Sequence, residues 1–377
     1  MARNENNQRQ LKGYYGFQKK YPSRRGERPI HESRRAKKRE RIRIALFCVF
    51  LCCLFVGSFV FVKFCYNLST RPLDNNVIEE APIVTADNLG TVRATYLPND
   101  ILDDIGKLND FLDTAKENGF NSVMLDFKTR EGILTYNSNL MKYQGTEKFV
   151  EIDSSIIERI KLDGFLILGR IYCFEDTVAP QRLNAYVYED AEKSRIWFDD
   201  SAITGGRVWL DPTNSKATNY IASVIDEVTS LGVDCIYLDS VQFPESRPGA
   251  VPVYTKDDTT LNKNLVLMKF IEKAVASANK RPVILGCPLE CADGGNTEKW
   301  GGTLFDTSAH ICSPLLESPN SSDFISYIEN SYLVYNDRAQ NNFSTVKVIP
   351  TIKIPVENLD FYEKISSSKA ESYIIVP

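Results

Sequence analysis

The chain has 377 residues, of which 43% are hydrophobic and 25% charged, a balance typical of globular proteins. Its formal net charge of −4 conceals an asymmetry, because residues 1–43 hold fifteen Lys and Arg against four Glu and the remainder is acidic. An acidic remainder argues against nucleic acid as a partner, since phosphate binding requires clustered cations.

Residues 44–65 form the predicted transmembrane helix. Apolar residues run almost unbroken from Ile44 to Val62, and at about 1.5 Å each they cover the roughly 30 Å hydrocarbon core of a lipid bilayer. Cations crowd the N-terminal side, which predicts a cytoplasmic N-terminus and an extracytoplasmic C-terminal domain at the cell membrane. A cleaved signal is the alternative, but the long apolar core and the exit Phe61-Val62-Lys63-Phe64 favour an uncleaved signal anchor.

The segments flanking this helix lack the pattern of a folded domain. Residues 1–43 are Arg-rich without apolar periodicity, which predicts a disordered basic tail attracted to anionic lipid. Residues 66–90 contain Pro72 and Pro82 and are interpreted as a linker. The folded domain is therefore predicted to span residues 91–377.

Short apolar runs alternate with longer amphipathic runs through this domain, which predicts βαβ units and a parallel sheet. The predicted strands are Val92–Leu97, Ser122–Phe127, Phe165–Cys173, Cys235–Leu238, Pro282–Cys287, Ile311–Leu316, Val346–Ile352 and Tyr373–Val376. The predicted helices are Asp100–Asn118, Ser154–Leu162, Ser215–Leu231, Leu261–Asn279, Ser321–Asn341, Asn358–Lys369 and a less regular one near Thr297–Phe305. Eight strands predict an α/β fold of the (β/α)8 type, a TIM barrel, with an open doubly wound sheet as the alternative.

Several kinds of chemistry are disfavoured by what the sequence lacks. There is no Gly-rich dinucleotide or Walker-type loop, which argues against a nucleotide. The two histidines are His31, in the tail, and His310, so the domain has no His cluster for a metal. His310 opens a strand at the end opposite the usual active face of a barrel and is interpreted as structural. No metal or organic cofactor is expected, and carboxylates remain as the main catalytic groups.

Carboxylates stand at the C-terminal ends of several predicted strands. Asp126 ends the second strand, Asp239 the fourth, and Glu290 and Glu317 follow the fifth and sixth. In a TIM barrel the C-terminal ends of the strands converge at the mouth of the barrel, and the active sites of TIM-barrel enzymes lie there. Glycoside hydrolysis requires two carboxyl groups flanking the scissile bond. Each acid has an alternative role, as a helix cap or an ion-pair partner of arginine.

Aromatic and cysteine residues add weaker signals. Sugars stack on flat apolar faces, and Trp197, within a polar insertion, is the best candidate for an exposed aromatic; Trp209 is a second candidate. The five domain cysteines are irregularly spaced, which favours buried free thiols, with Cys287–Cys291 as the one pair to test.

Four sequence blocks resemble a known family, the glycoside hydrolase-like TIM barrels of bacterial envelope proteins, formerly a domain of unknown function. The block from Asn121 to Tyr136 is similar to its N-x-V-V-I-D-x-K-D-x-x-G-x-V-x-Y segment, and Gly169–Asp176 to A-R-I-V-x-F-K-D. Val208–Thr213 resembles W-V-D-P, and Gly232–Pro244 resembles G-F-D-E-I-Q-F-D-Y-V-R-F-P. The four blocks together cover residues from about 95 to 245.

The resemblance implies a TIM barrel, a carbohydrate substrate and Asp239 as the leading catalytic carboxylate. It also implies that four further residues belong to the site, namely Asp126, Lys128, Arg170 and Asp211. The chain departs from the pattern at Ser240 and Gln242, where the family has Tyr and Arg, and at Thr129, where it has an acid. The fifth strand does not align with the family's usual acidic position.

These observations predict a membrane-anchored, extracytoplasmic glycoside hydrolase acting on a cell-envelope or extracellular polysaccharide. Asp239 is the predicted nucleophile or stabilising carboxylate, Glu290 the general acid/base, and Asp126 a third catalytic candidate. The predicted substrate-binding residues are Lys128, Arg170, Asp211, Trp197, Trp209 and Gln242. A non-catalytic glycan-binding or scaffold module of envelope assembly is the main alternative, and a lyase or transferase on the same barrel is a weaker one.

Overall fold

The structure is a computed structural model. It describes residues 83–141, 149–201, 204–256, 261–288, 297–302, 304, 309–317, 347–354 and 370–377, together with positions 38–39, 41, 45–46, 329–330 and 333. Contacts divide the chain into the units Met1–Glu80 and Ala81–Pro377. All the strands described here belong to the second unit.

Within the described residues, nine strand segments form one closed parallel sheet. They are β1 (Arg93–Tyr96), β2 (Ser122–Lys128), β3 (Leu166–Tyr172), β4 (Cys235–Asp239), β5 (Val283–Pro288), β6 (Ile311–Glu317), β7 (Lys347–Val348), β8 (Thr351–Lys353) and β9 (Tyr373–Val376). Strands β1 to β6 pair in chain order, β6 pairs with β7 and β8, β8 pairs with β9, and β9 returns to β1. The predicted (β/α)8 barrel is therefore confirmed.

The seventh barrel strand is divided into β7 and β8, whereas the sequence predicts one strand over Val346–Ile352. Pro350 stands between the two segments. Proline has no backbone N–H to donate to a sheet. Both segments pair with β6, so together they occupy one position in the barrel.

The helices on the outside of the barrel are α1 (Ile105–Glu117), α2 (Ser154–Leu162), α3 (Ala179–Leu183), α4 (Ser215–Leu231), α5 (Lys263–Ser277) and α6 (Thr297–Trp300). Several of them begin at a capping side chain. Asp104, Asp153 and Asn214 accept hydrogen bonds from first-turn N–H groups of α1, α2 and α4, which satisfies donors that lack a partner within the helix. The bounds of α2 and α4 match the prediction. The predicted helices Ser321–Asn341 and Asn358–Lys369 lie almost wholly outside the described residues.

Alternation along the strands sorts buried side chains into two cores. The barrel interior contains Ala94, Met124, Leu168, Tyr237, Ile284 and Ile374. The layer between strands and helices contains Val123, Leu125, Ile167, Ile236, Leu238 and the inward faces of α1, α2 and α4. Because successive strand residues face opposite sides, the residues two positions after Met124, Leu168 and Tyr237 also face the interior. These are Asp126, Arg170 and Asp239.

Among the residues that the structure describes, no helix is long and apolar enough to cross a membrane. The predicted span, residues 44–65, lies outside them except for positions 45 and 46. The tail, residues 1–43, and most of the linker, residues 66–90, also lie outside them. The membrane anchor and its orientation therefore stay predictions.

Two smaller expectations are confirmed. Cys173, Cys235 and Cys312 are buried free thiols, whereas Cys291 lies outside the described residues, so the Cys287–Cys291 pair is untested. His310 immediately precedes β6 and its Nδ1 accepts a hydrogen bond from the Val283 N–H at 3.0 Å. This imidazole joins two strands at the N-terminal end of the barrel, which is a structural role.

Candidate active site

A cavity of about 740 Å³ opens at the C-terminal ends of the barrel strands. Ligand sites of TIM barrels lie at this end, and the volume is in the ordinary range for small-molecule sites. Among the described residues, the charged side chains that line the cavity are Arg130, Arg170, Glu175, Asp239, Lys299 and Lys353. Of the predicted site residues, Asp239, Arg170 and Gln242 are in the lining.

A chain of hydroxyl groups crosses the barrel beneath the cavity. The Tyr237 hydroxyl lies 2.9 Å from Thr351 Oγ1, which lies 2.7 Å from Ser313 Oγ. Gly286 allows the tyrosine ring to fit, because a Cβ at this position would lie 2.7 Å from the Tyr237 hydroxyl. These bonds satisfy polar groups in the interior and separate the cavity from the apolar residues below it.

Asp239 ends β4 and is partly buried in the cavity wall. Its Oδ1 accepts a hydrogen bond from the Ser240 N–H at 2.7 Å, and Ser240 has a left-handed backbone with φ of 53°. Such a conformation is uncommon for a residue other than glycine and is often found at functional sites. Asp239 forms no ion pair with any described residue.

The pKa of Asp239 is raised above its usual range. Burial is the largest cause, because it disfavours the charged form. The positive charge of Arg170 acts in the opposite direction, and the negative charge of Glu175 raises the pKa further. A carboxyl group with a perturbed pKa in a cavity is a candidate for catalysis.

Asp126 and Arg170 form an ion pair inside the barrel. Nε and Nη2 of Arg170 both donate to the Asp126 carboxylate, Nη2 at 2.9 Å, and the Tyr96 hydroxyl donates to the same carboxylate at 3.1 Å. The guanidinium also lies over the rings of Tyr96 and Tyr172, at 5.1 and 5.0 Å from their centroids. A bidentate, stacked arginine has little freedom to move, so this assembly fixes a positive charge near Asp239.

Glu175 is a cavity residue that the sequence analysis did not select. It is 5% exposed, pairs with Arg130, and accepts a hydrogen bond from Arg207 Nη1 at 3.4 Å. It lies three residues after β3, in the Gly169–Asp176 block. An acid shortly after a strand was the signal used for Glu290, and the same signal identifies Glu175.

Lys128, predicted to bind substrate, is buried away from the cavity. Its Nζ lies 2.8 Å from Asp176 Oδ2 and donates to the Tyr172 carbonyl at 2.6 Å, and both charged side chains are fully buried. The pairing of β2 with β3 shifts by one residue between Asp126 and Lys128. The lysine therefore holds the end of β3 in place, and the prediction that it faces the substrate was wrong.

Asp211 is also buried outside the cavity lining. It accepts hydrogen bonds from the Thr213 N–H at 2.8 Å and the Thr255 N–H at 2.6 Å. Burial raises its pKa, and these hydrogen bonds act in the opposite direction. Asp211 thus joins the segment before α4 to the segment before α5. It does not line the cavity, contrary to the prediction that it binds substrate.

The two tryptophans predicted to bind sugar are buried. Trp197 is 1% exposed and its indole N–H donates to the Ala250 carbonyl at 3.3 Å, so the predicted exposure was wrong. Trp209 is 5% exposed and donates to Asp199. The insertion folds on itself and on the segment before α5 through bridges of Tyr188 with Ile196 and Val253. Trp300 and Tyr172 line the cavity instead.

The second carboxyl group of the predicted pair is not described. Glu290 lies outside the described residues, and Glu317 ends β6 with a side chain that lies outside them. Within the described residues, no group of three or more His, Cys, Asp or Glu side chains is arranged to hold a metal ion.

A comparison with protein families finds one match. The model described as "Putative glycosyl hydrolase domain" matches residues 94–289, slightly more than half of the chain. No curated protein matches the chain.

Solved structures with a similar fold include three at low identity. A hypothetical protein from Ruminiclostridium thermocellum is 21% identical, with a TM-score of 0.41, over 51% of this chain and 95% of that one. Alpha-L-fucosidase isoenzyme 2 from Paenibacillus thiaminolyticus is 14% identical, with a TM-score of 0.47, over 75% of this chain and 49% of the fucosidase. The glycoside hydrolase domain of PelA from Pseudomonas aeruginosa is 10% identical, with a TM-score of 0.41, over 76% and 95%. This chain therefore spans about half the length of the fucosidase.

Proposed function

Because the chain belongs to this glycosyl hydrolase domain family, we propose that it hydrolyses glycosidic bonds with Asp239 as a catalytic carboxylate. The substrate is a cell-envelope or extracellular polysaccharide. Residues 44–65 anchor the enzyme in the membrane, with the basic tail in the cytoplasm and the barrel outside it. The support for the anchor is the long apolar run and the cations that precede it.

One observation carries the proposal. Asp239 lies in the wall of the cavity and, among the described residues, no cation pairs with it. The other acid in the described lining, Glu175, is paired with Arg130 and Arg207. An unpaired carboxyl group is available to attack or stabilise the anomeric carbon, as glycoside hydrolysis requires.

Arg170 supports this role as a positioning residue. Its charge lowers the pKa of Asp239 against the effect of burial and so favours the carboxylate form that a nucleophile requires. Asp126 holds the guanidinium in place through the bidentate ion pair. We therefore assign Asp126 to positioning Arg170, in place of the direct catalytic role considered from the sequence.

Glu290 remains our candidate for the general acid. It follows β5, the neighbour of β4, while Glu317 ends the next strand, β6. The general acid protonates the leaving oxygen, so its loss matters least for substrates with good leaving groups. We expect Glu290→Gln to slow polysaccharide cleavage strongly and aryl glycoside cleavage weakly. The same pattern in Glu317→Gln, with an unaffected Glu290→Gln, would move the assignment to Glu317.

The proposal is tested with the full chain in detergent, a panel of envelope and extracellular polysaccharides, and water enriched in oxygen-18. Hydrolysis breaks the bond between the anomeric carbon and the leaving oxygen. It places the water oxygen on that carbon and a proton on the leaving group. We expect new reducing ends that carry oxygen-18. Saturable binding without new reducing ends would support the glycan-binding alternative, and products formed without gain of water would indicate a lyase or transferase.

A further inference from the structure

We propose that the glycan carries an acidic substituent, a carboxylate, phosphate or sulfate, and that Lys353 binds it at the mouth of the cavity. This proposal rests on the proposed function only for the location of the substrate in this cavity. It adds a class of substrate and a residue that determines specificity.

The cations of the cavity differ in whether a protein anion already neutralises them. Arg130 pairs with Glu175, Arg170 with Asp126, and Lys299 Nζ lies 3.0 Å from Glu245. Lys353 forms no ion pair with any described residue. Of the four cations in the described lining, Lys353 is the one whose charge is left for a ligand.

The position of Lys353 places this charge across the cavity from the proposed reaction centre. Lys353 ends β8 and lies two residues after Thr351, whose hydroxyl bonds to Tyr237 inside the barrel. Residues two apart on a strand share a face, so Lys353 continues the interior face to the mouth. Asp239 is on β4, and β8 is the third strand along the sheet from β4. In an eight-stranded barrel, two strands are at most four positions apart, so β8 is almost opposite β4.

A bound glycan would change the surroundings of this lysine. Lys353 is exposed, so in the free protein water solvates its ammonium group. A polysaccharide that fills the cavity displaces part of that water, and covering a charge without a partner is unfavourable. An acidic substituent at this point supplies the partner, whereas a neutral sugar does not.

The charge of the remaining domain makes a local cation necessary for such a ligand. Residues 81–377 contain 28 Lys and Arg against 42 Asp and Glu. Such an excess of negative charge repels a polyanion at long range, although salt screens it beyond about 8 to 10 Å. Recognition of an acidic glycan by this domain therefore depends on short-range contacts with cations such as Lys353.

The test measures binding of matched polymers to the full chain in detergent. Three acidic polymers are used: polygalacturonate, dextran sulfate and dextran phosphate. Each is paired with a neutral counterpart of the same chain, which is carboxyl-reduced polygalacturonate for the first and unmodified dextran for the other two. The variants are Lys353→Met, Lys353→Arg and, as a control, Lys216→Met, because Lys216 is an exposed lysine on α4, outside the cavity lining.

We expect wild type to bind at least one acidic polymer more tightly than its neutral counterpart. Lys353→Met should weaken that binding about fivefold, the size of one ion pair of about 1 kcal/mol. Binding of the neutral polymer should not change. Lys353→Arg should retain the preference, as should Lys216→Met, and raising the salt concentration should reduce it.

Three results would overturn the proposal: equal or tighter binding of every neutral polymer, an unchanged preference in Lys353→Met, or an equal loss of binding for both members of a pair.

Failure of the proposed hydrolysis gives results that differ from failure of this inference. An acidic polymer that is bound through Lys353 but never cleaved leaves this inference intact and removes the hydrolase. A neutral glycan cleaved equally by wild type and Lys353→Met leaves the hydrolase and removes this inference.

Discussion

At the residue scale, the environment of Asp239 determines how it titrates. Burial raises the pKa of this carboxyl group in the folded protein, so the folded state retains the proton to a higher pH than the unfolded chain does. The stability that Asp239 contributes is fully present below its unfolded pKa of about 3.9. It is lost as the pH rises through the folded pKa.

The first prediction concerns stability and pH. Asp239→Asn keeps an oxygen that accepts the Ser240 N–H bond and removes the ionisable group. We therefore expect the variant to have a higher Tm than wild type at pH 7 and a similar Tm at pH 3.5, measured by circular dichroism. Asp226→Asn, at an exposed position on α4, is the control for removal of a carboxylate from the surface. A difference in Tm that is independent of pH, or a less stable Asp239→Asn at pH 7, would contradict this.

The second prediction concerns the acid limb of the pH profile of kcat/KM. The positive charge of Arg170 lowers the pKa of Asp239, and the negative charge of Asp126 raises it. The effect of Arg170 is the larger of the two. The double variant Arg170→Met/Asp126→Asn should therefore shift the acid limb to higher pH, because the ionised form of Asp239 becomes less favoured. Asp126→Asn alone should shift it to lower pH. Shifts in the same direction, or none, would show that Asp239 does not control this limb.

At the element scale, the ends of β2 and β3 are held by a buried ion pair. Lys128 and Asp176 are both fully buried, and Asp176 also accepts the N–H groups of Val178 and Ala179 at the start of α3. Removal of one partner leaves a buried charge without compensation. The pair therefore stabilises the loop that presents Glu175.

The third prediction follows from this pair. Lys128→Met should reduce the free energy of unfolding by about 3 to 5 kcal/mol, measured with urea. The double variant Lys128→Met/Asp176→Asn should recover part of the loss, because no charge is then left buried. A stable Lys128→Met with weakened glycan binding would restore the substrate-binding role predicted from the sequence.

The sequence predicted the barrel well because its signals are local. Every predicted strand is present, and α2 and α4 have the predicted bounds, since apolar runs and capping residues mark these elements directly. The exception is the seventh strand, where Pro350 interrupts the pairing. The strand-end pattern pointed to Asp239, and the family resemblance pointed to Arg170; both line the cavity, as does Gln242.

The direction in which a polar side chain points was harder to predict. Lys128 was misjudged because a shift in strand register, invisible in one sequence, directs it to Asp176. Trp197 was misjudged because a polar insertion folds into a packed layer through pairings that are distant in sequence. Glu175 was missed although it carried the same local signal as Glu290, an acid shortly after a strand. Long-range pairing, which composition and periodicity do not report, decides the positions of Lys128 and Trp197.

At the scale of the whole molecule, charge and hydropathy separate a basic N-terminal segment, an apolar run and an acidic domain. The fourth prediction is that the full chain sediments with membranes and resists extraction by alkaline carbonate. A chain lacking residues 1–65 should remain in the supernatant, because it lacks the apolar run that inserts into lipid. Equal sedimentation of both chains would contradict the proposed anchor.

The central claim is that the Asp239 carboxylate performs the chemistry at the mouth of the barrel. Its most direct test compares wild type and Asp239→Asn on whichever polysaccharide wild type cleaves, measuring both kcat/KM and the Kd of the glycan. We predict a loss of kcat/KM of at least roughly a hundredfold, typical for removal of a group that acts in the transition state, with little change in Kd. Cleavage by Asp239→Asn at the rate of wild type would contradict the account.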